Sequence, residues 1–385
     1  MTENELFAFK IKAPDAVVYA EAKKKWDAIA KPIDGLGRLE ELICRIAAMQ
    51  QRIIPDIKQK TLLIFCADNG VTAEGISQTT PQVTADVAGL MGQNKSSVGI
   101  LTRGYPLKIL PVDIGMNTED TPPGVRNVKV RRGTGNIARE PAMTEKECLR
   151  AIEAGIGLAK EAVCGGSGLL ATGEMGIGNT TTSAALLCAL TGLPAEAVTG
   201  KGAGLSDEGL AHKIRIVEKA LSLHAAGLRR SGSPAAFSSG DTSGVQDKDG
   251  SDIMSEEYRT ACLRALARLG GLDIAGLAGV YIGGAISGVP VVIDGFISAV
   301  AALAAEMLLP GCRAYMIASH RGRERGTMEA LRRLDLTPVI EADLALGEGT
   351  GAVLLLPMLD MALSLYSSGT AFSETDIGAY TRFSS

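Results

Sequence analysis

Aromatic side chains are scarce in this sequence: Phe, Trp and Tyr make up 4% of 385 residues, with a single Trp. Histidine is rarer still, at three, and the scatter of His212, His224 and His320 excludes a local metal-binding cluster. The seven cysteines are odd in number and lack paired spacing. That argues against a disulfide framework and fits thiols used as small apolar residues in a reducing cytoplasm. Positive charge is in short supply, with 39 Lys and Arg against 43 Asp and Glu, a net charge of −4. No basic stripe interleaved with aromatics is present, so no nucleic-acid partner is expected. An anionic substrate would be held by local dipoles and a few cations. The first residues, MTENELFAFKIKAPDAVV, lack the basic-then-apolar order of a signal peptide. The longest apolar stretches, such as IDGFISAVAALAAEMLLP at 293–310, carry Asp294 and Glu306, so no membrane span is expected.

What the chain does have is aliphatic bulk. Hydrophobic residues make up 46% of it, and mean hydropathy is +0.17. With so few aromatics the core is expected to be aliphatic, as suits helices packed on a parallel sheet. Five apolar runs read as buried strands: TLLIFCADNG (61–70), LKILPVDIG (107–115), GLLATGEMGIG (168–178), VPVVIDGFIS (289–298) and CRAYMIAS (312–319). Each ends in Asp, Glu, Ser or Gly, and most lead into a helical segment. The alternation predicts an α/β fold, a Rossmann-like parallel sheet with helices on both faces. In such sheets ligands gather beyond the carboxyl ends of the strands, so the polar residues there are the first candidates for chemistry. Near the start, a turn at 32–37 precedes Leu39, Leu42, Ile43, Ile46, Met49 and Ile53 at helical spacing. The segment 231–252, SGSPAAFSSGDTSGVQDKDGSD, has no periodicity and reads as a flexible surface insertion. Its aspartates fail the calcium-loop pattern, with Asp252 where glycine is needed and Tyr258 where glutamate is needed.

Four stretches could carry chemistry. GEMGIGNTTTSAALLCAL (173–190) sets glycines, Asn179, Thr180 and Thr181 at a helix start, where amide N–H groups and the helix dipole favour an anion. It is neither a Walker loop nor a Rossmann fingerprint, and by itself it also fits a glycine-rich turn that binds nothing. VTGKGAGLSDEGLAHK (198–213) feeds a second helix and brings Lys201 and Lys213 near that turn. LALGEGTGAVLLLPMLDMAL (344–363) places Glu348 as the only ionisable residue of a glycine-framed turn before an apolar helix. A carboxylate enclosed there by aliphatic walls would have its pKa raised, which suits a general base near neutral pH. FCADNGVTAEGIS (65–77) puts Asp68 and Asn69 just past a strand.

Together these stretches resemble one family, the nicotinate-nucleotide–dimethylbenzimidazole phosphoribosyltransferases, which activate the lower ligand of cobamides. KPIDGLGRLEEL, FCADNGVTAEGIS, VRRGTGNIAREPAM, GEMGIGNTTTSAAL, GKGAGLSDEGLAHK, LGGLDIAGLAGVYIGGA, VPVVIDGFISAVAAL, ASHRGRERG and LGEGTGAVL follow the family's order. The resemblance implies a large α/β domain (61–351) and a small helical domain built from both chain ends (1–60 with 352–385). It also implies a homodimer, or a heterodimer with a paralogue. The implied reaction moves phosphoribose from nicotinate mononucleotide to 5,6-dimethylbenzimidazole, giving α-ribazole 5′-phosphate and nicotinate, with no cofactor and no metal. Glu348 matches the family's general base. The nucleotide is implied near Gly176, Gly178, Asn179, Thr180 and Thr181, with Gly202 and Gly204 alongside. Glu174 is implied beside the acceptor or ribose, Lys213 beside an anionic group, and Asp294, Ser319 and Asp68 as further contacts at strand ends. Asn69 stands where the family usually has histidine, and Thr79 and Thr80 stand where acceptor contacts are expected. Some relatives activate phenolic acceptors as heteromers, and a non-catalytic nucleotide-binding paralogue would share the same glycine framework. Those alternatives stay open at this level.

Overall fold

KTLLIFCA, residues 60–67, is buried along its whole length. Its side chains divide by parity, as a strand covered on both sides must. Leu63 and Phe65 join one apolar cluster, while Leu62, Ile64 and Cys66 join another. In the computed structural model, which describes residues 1–228 and 255–382, this strand is central to a parallel sheet. The strands are β1 (Lys60–Ala67), β2 (Lys108–Gly115), β3 (Arg126–Asn127), β4 (Leu169–Met175), β5 (Val291–Ile293) and β6 (Met316–Ala318). They lie in the order β3-β2-β1-β4-β5-β6, the doubly wound order in which the crossovers reverse direction between β1 and β4. A second, two-stranded parallel sheet pairs β7 (His320–Gly322) with β8 (Ile340–Leu344).

Helices cover both faces, as the alternation predicted. Glu145–Cys164, Asn179–Thr191, Glu256–Leu269, Leu272–Ile286 and Phe296–Leu308 lie on the Phe65 side. Ala16–Ala28, Arg38–Gln50, Gln82–Gly92 and Thr350–Ser368 lie on the other. Three of this second set come from the two chain ends and pack on one another, with the Trp26 and Tyr366 rings 5.0 Å apart between centroids. Among the described helices only Thr350–Ser368 is long and apolar enough to cross a bilayer. Its buried face, including Leu355, Leu356 and Leu359, instead packs in the sheet's second cluster.

Several boundaries differ from the sequence reading. The run at 312–319 begins as a short 3-10 turn, Cys312–Tyr315, and only Met316–Ala318 is strand. The cause is Glu306, whose carboxylate accepts the amides of Gly311 at 3.1 Å and Arg313 at 2.7 Å and so curls the chain. The first periodic helix stops at Gln50, because Gln51 turns left-handed at φ 54°; Ile53 therefore leaves the apolar stripe and stands 46% exposed. Strands β3, β7 and β8 carry no apolar run, so nothing in the sequence marks them. The expected insertion at 231–252 lies outside the described residues.

The helix pair Glu145–Cys164 and Leu272–Ile286 shows how small residues set the layer spacing. A Cβ on Gly155 would stand 2.0 Å from the Gly276 carbonyl oxygen, and one on Gly279 would stand 2.1 Å from that of Ile152. The two backbones are in contact there. Gly279→Leu should destabilise the protein by about 3 kcal/mol, the upper end of core overpacking, because a backbone cannot rotate aside as a side chain can. A urea midpoint unchanged in that variant would show that the helices separate freely.

Candidate active site

The reversal between β1 and β4 opens a crevice at the carboxyl ends of the strands. Beyond Met175 the chain turns through 176–178 into the helix Asn179–Thr191, with Gly178 left-handed at φ 93° as its N-cap. Glycine has no side chain with which to cap this helix. Gly178, Asn179 and Thr180 at its start line a cleft of about 260 Å³, close to the lower bound for small-ligand sites. The opposite wall comes from β5, β7 and the turn before the helix Thr350–Ser368, through Asp294, His320 and Gly347.

One end of the cleft is built for negative charge. Lys213, on the helix Asp207–Leu228, is 1% exposed, and its Nζ donates to Thr180 Oγ1 at 2.8 Å. Burial pulls this ammonium down to about 8, and the nearby Glu324 carboxylate partly restores it. A Cβ on Gly202 would come 3.3 Å from Nζ, so a bare backbone there leaves room for a ligand beside the cation. The Gly202 amide donates to Glu324 Oε1 at 3.0 Å, which fixes that loop. A buried cation beside a glycine-capped helix start has the chemistry to accept a phosphate-sized anion.

The other end is acidic. Glu174, the penultimate residue of β4, opens to the cleft but is surrounded by protein on its other sides. Burial raises its carboxyl to about 8; the Asn179 amide opposes this, while the Asp273, Asp294 and Glu348 carboxylates add to it. Asn179 Nδ2 donates to Glu174 Oε2 and also to Asp273 Oδ2, the latter at 3.1 Å. Burial likewise lifts Asp273 to about 6. A Cβ on Gly347 would stand 3.0 Å from Glu174 Oε1, so the Glu348 turn lies directly against this acid.

Glu348 is the centre of three consecutive left-handed residues, with φ of 85° at Gly347, 59° at Glu348 and 81° at Gly349. Its side chain is half-buried, and Oε2 accepts the Val98 amide at 3.4 Å. The full enclosure expected at Glu348 falls instead on Asp273 and Asp294, because the Glu348 turn is at the rim while Asp273 begins a buried helix and Asp294 follows a buried strand. Asp294 follows β5 and is 3% exposed. Its Oδ2 accepts the Gly349 amide at 3.2 Å and its Oδ1 the Ala352 amide at 2.9 Å. Beside it, Ser319 Oγ donates to the Ile293 carbonyl at 2.6 Å and accepts from His320 Nδ1 at 2.9 Å. Burial pushes Asp294 up and His320 down, and each charge partly restrains the other.

Of the residues singled out in the sequence, Glu174, Gly176, Gly178, Asn179, Thr180, Gly202, Lys213 and Asp294 line one cleft. The others do not. Thr181 is buried within its helix, and the Gly204 carbonyl is taken by Gln78 Nε2 at 2.5 Å. Ser319 lies behind His320. Asp68 is buried with Oδ2 on the Asn117 amide at 2.7 Å. Thr79 and Thr80 are exposed, and Ile76, Ser77 and Gln78 are what that loop presents to the cleft. Asn69, in the position where histidine was expected, donates to the Ile177 carbonyl at 3.5 Å and ties the glycine turn to β1. Sequence reasoning did not single out Asp273, His320 or Glu324. Nothing local in ASHRGRERG marks His320 or Glu324 for the cleft, and Asp273 of LGGLDIAG stays fully buried behind Asn179.

A phosphoribosyltransferase family model matches residues 11–238 and 248–377. A nicotinate-nucleotide–dimethylbenzimidazole phosphoribosyltransferase of Ruminiclostridium cellulolyticum is 38% identical over 360 residues, 94% of each chain. One of Geobacter sulfurreducens is 39% identical over 370 residues, 96% of each. Among solved structures, CobT from Thermus thermophilus superposes with a TM-score of 0.81 at 36% identity, over 93% of this chain and 98% of that one.

The geometry makes the anion end testable by itself. Ribose 5-phosphate binding, followed by calorimetry, should weaken as pH rises through about 8, where Lys213 gives up its charge. In Lys213→Arg, which stays protonated, affinity should persist past that pH; Lys213→Met should lose roughly tenfold or more at neutral pH, as expected for a buried charge-assisted contact. Affinity indifferent to pH and to both substitutions would remove the phosphate from this end.

Proposed function

The chain belongs to the nicotinate-nucleotide–dimethylbenzimidazole phosphoribosyltransferase family, and on that premise we propose that it moves phosphoribose from nicotinate mononucleotide to 5,6-dimethylbenzimidazole. The products are α-ribazole 5′-phosphate and nicotinate. The single observation that carries the reading is the polarity of one cleft: a buried cation at a helix start on one side, and Glu174 beneath the Glu348 turn on the other. A nucleotide laid across it puts its phosphate on Lys213 and Thr180 and its anomeric carbon toward the acids.

Chemistry follows from that placement. The bond from the anomeric carbon to the pyridinium nitrogen breaks, and its electron pair goes to the departing nicotinate. An unprotonated nitrogen of the benzimidazole forms the new bond from the opposite face, so configuration inverts. Its other nitrogen loses a proton to Glu348. As the pyridinium leaves, positive charge spreads over the ribose ring, where fixed carboxylates are favourable neighbours. At neutral pH the Glu174 carboxyl, at about 8, is largely protonated; a pyridinium cation beside it favours the ionised form. Asn179 holds that carboxyl in place.

Two further readings accompany the activity. All seven thiols are free, six of them buried, which supports a reducing compartment such as the cytoplasm. Leu354, Met361 and Leu365 form one exposed stripe of the helix Thr350–Ser368, Met361 being 73% exposed. Exposed Ile100 and Leu101 come from the neighbouring helix Ser97–Leu101. An apolar patch of this kind supports self-association as a homodimer. Light scattering should then give about twice the 40.0 kDa of one chain, and Leu354→Glu with Met361→Glu should return it to the monomer mass.

The activity is tested by incubating the protein with nicotinate mononucleotide and dimethylbenzimidazole and measuring both products. Glu348→Gln should lower kcat by roughly 100- to 10,000-fold, the usual range for a lost general base, with nucleotide affinity within about threefold of the parent. Undiminished turnover would take Glu348 out of the reaction. Nucleotide binding with no product from any benzimidazole or phenol would make the chain a non-catalytic paralogue.

A further inference from the structure

Glu348 has a conformational problem that its own turn does not solve. A non-glycine residue at φ 59° between two left-handed glycines is held in a sparsely populated conformation, which persists only where surrounding structure over-determines it. The constraint comes from across the cleft wall. Asp294, at the end of β5, receives the amide immediately after Glu348 on one oxygen and the Ala352 amide on the other. These are first-turn groups of the helix Thr350–Ser368, which carries no side-chain cap from its own N-cap residue, Gly349. A residue 55 positions earlier in the chain thus performs the capping. The His320 ring closes the other side of the same turn: a Cβ on Gly351 would lie 2.1 Å from its Nδ1 and Cε1, and the ring is held through Ser319 to the Ile293 carbonyl.

We infer that Asp294, backed by His320, is a positioning residue for Glu348: it fixes the proton acceptor by clamping the turn that carries it, and does not hold the nucleotide. Although Asp294 lines the cleft, both of its oxygens are engaged by backbone amides on the Glu348 side. This inference rests on the reading of Glu348 as the proton acceptor given above.

Asp294→Asn keeps the shape but sets an amide N–H against one of the two backbone N–H groups, so one tether is lost. The expected result is a kcat reduced about 10- to 100-fold, the scale of a misplaced catalytic group, with KM for nicotinate mononucleotide within about twofold. In a Glu348→Gln background the same change should cost less than about twofold further, since a clamp has nothing left to position. Asp294→Ser, which retains one acceptor as helix caps do, provides a second variant and should fall between parent and Asn. A rise in KM with kcat preserved would make Asp294 a nucleotide ligand and overturn the inference. Losses that multiply in the double variant would do the same, as would loss of the helical circular-dichroism signal in both single variants, which assigns the residue to folding alone. Full turnover in Glu348→Gln alone sinks the reading of Glu348 instead, so the two failures are told apart.

Discussion

A parallel sheet buried on both faces must return its chain through crossovers, and in this protein those crossovers diverge between β1 and β4. That divergence is the constraint on which the rest depends. It leaves a crevice that no helix fills, at the one edge of the sheet where strand ends expose backbone and polar side chains together. Glu174 at the end of β4, Asp294 after β5 and His320 after β6 all stand on that edge. The strands hold them because their aliphatic side chains alternate between two packed layers, and a register slip would exchange those layers wholesale.

The cleft separates charge at some cost. Lys213 is nearly inaccessible to solvent, and Glu174 is ringed by other acids. Water would stabilise either ion better than this interior does, and the displaced pKa values at both groups express that penalty. Such poised groups gather where a ligand supplies the missing counter-charge. In the placement proposed above, the nucleotide's phosphate would pair the buried Lys213 ammonium, and its pyridinium would favour ionisation of the Glu174 carboxyl, which is otherwise largely protonated.

Backbone geometry adds a second stored cost in the left-handed run at 347–349. Glycine makes two of its three members inexpensive; Glu348 itself is the residue that has to be restrained, and the restraint is the buried Asp294 carboxylate just past β5 rather than anything local. The same logic operates at Asn179, whose amide spans Glu174 and Asp273 and so couples β4 to the start of the helix Leu272–Ile286. Polar side chains that look like substrate ligands in the sequence are in several cases consumed in holding the frame. Asp68 receives the Asn117 amide, and Ser319 serves His320.

Much of the architecture was legible because burial leaves a periodic mark. The five apolar runs became β1, β2, β4, β5 and β6, and glycine-framed turns marked the end of β4 and the start of the helix Thr350–Ser368. Strands without an apolar run, β7 and β8, left no such mark, and the strand expected from residue 312 was shortened by a carboxylate that bonds the backbone. By itself, then, the sequence determined the layered α/β class, the family and the segments that meet at the cleft, since those depend on residue type and spacing. Only the tertiary structure decided which member of each segment reaches the cleft: Gln78 and not Thr79, Thr180 and not Thr181, His320 and not Ser319. The reason is physical. Neighbours in a strand or helix point to different sides, and which side faces a cavity is fixed by contacts made far away in the chain.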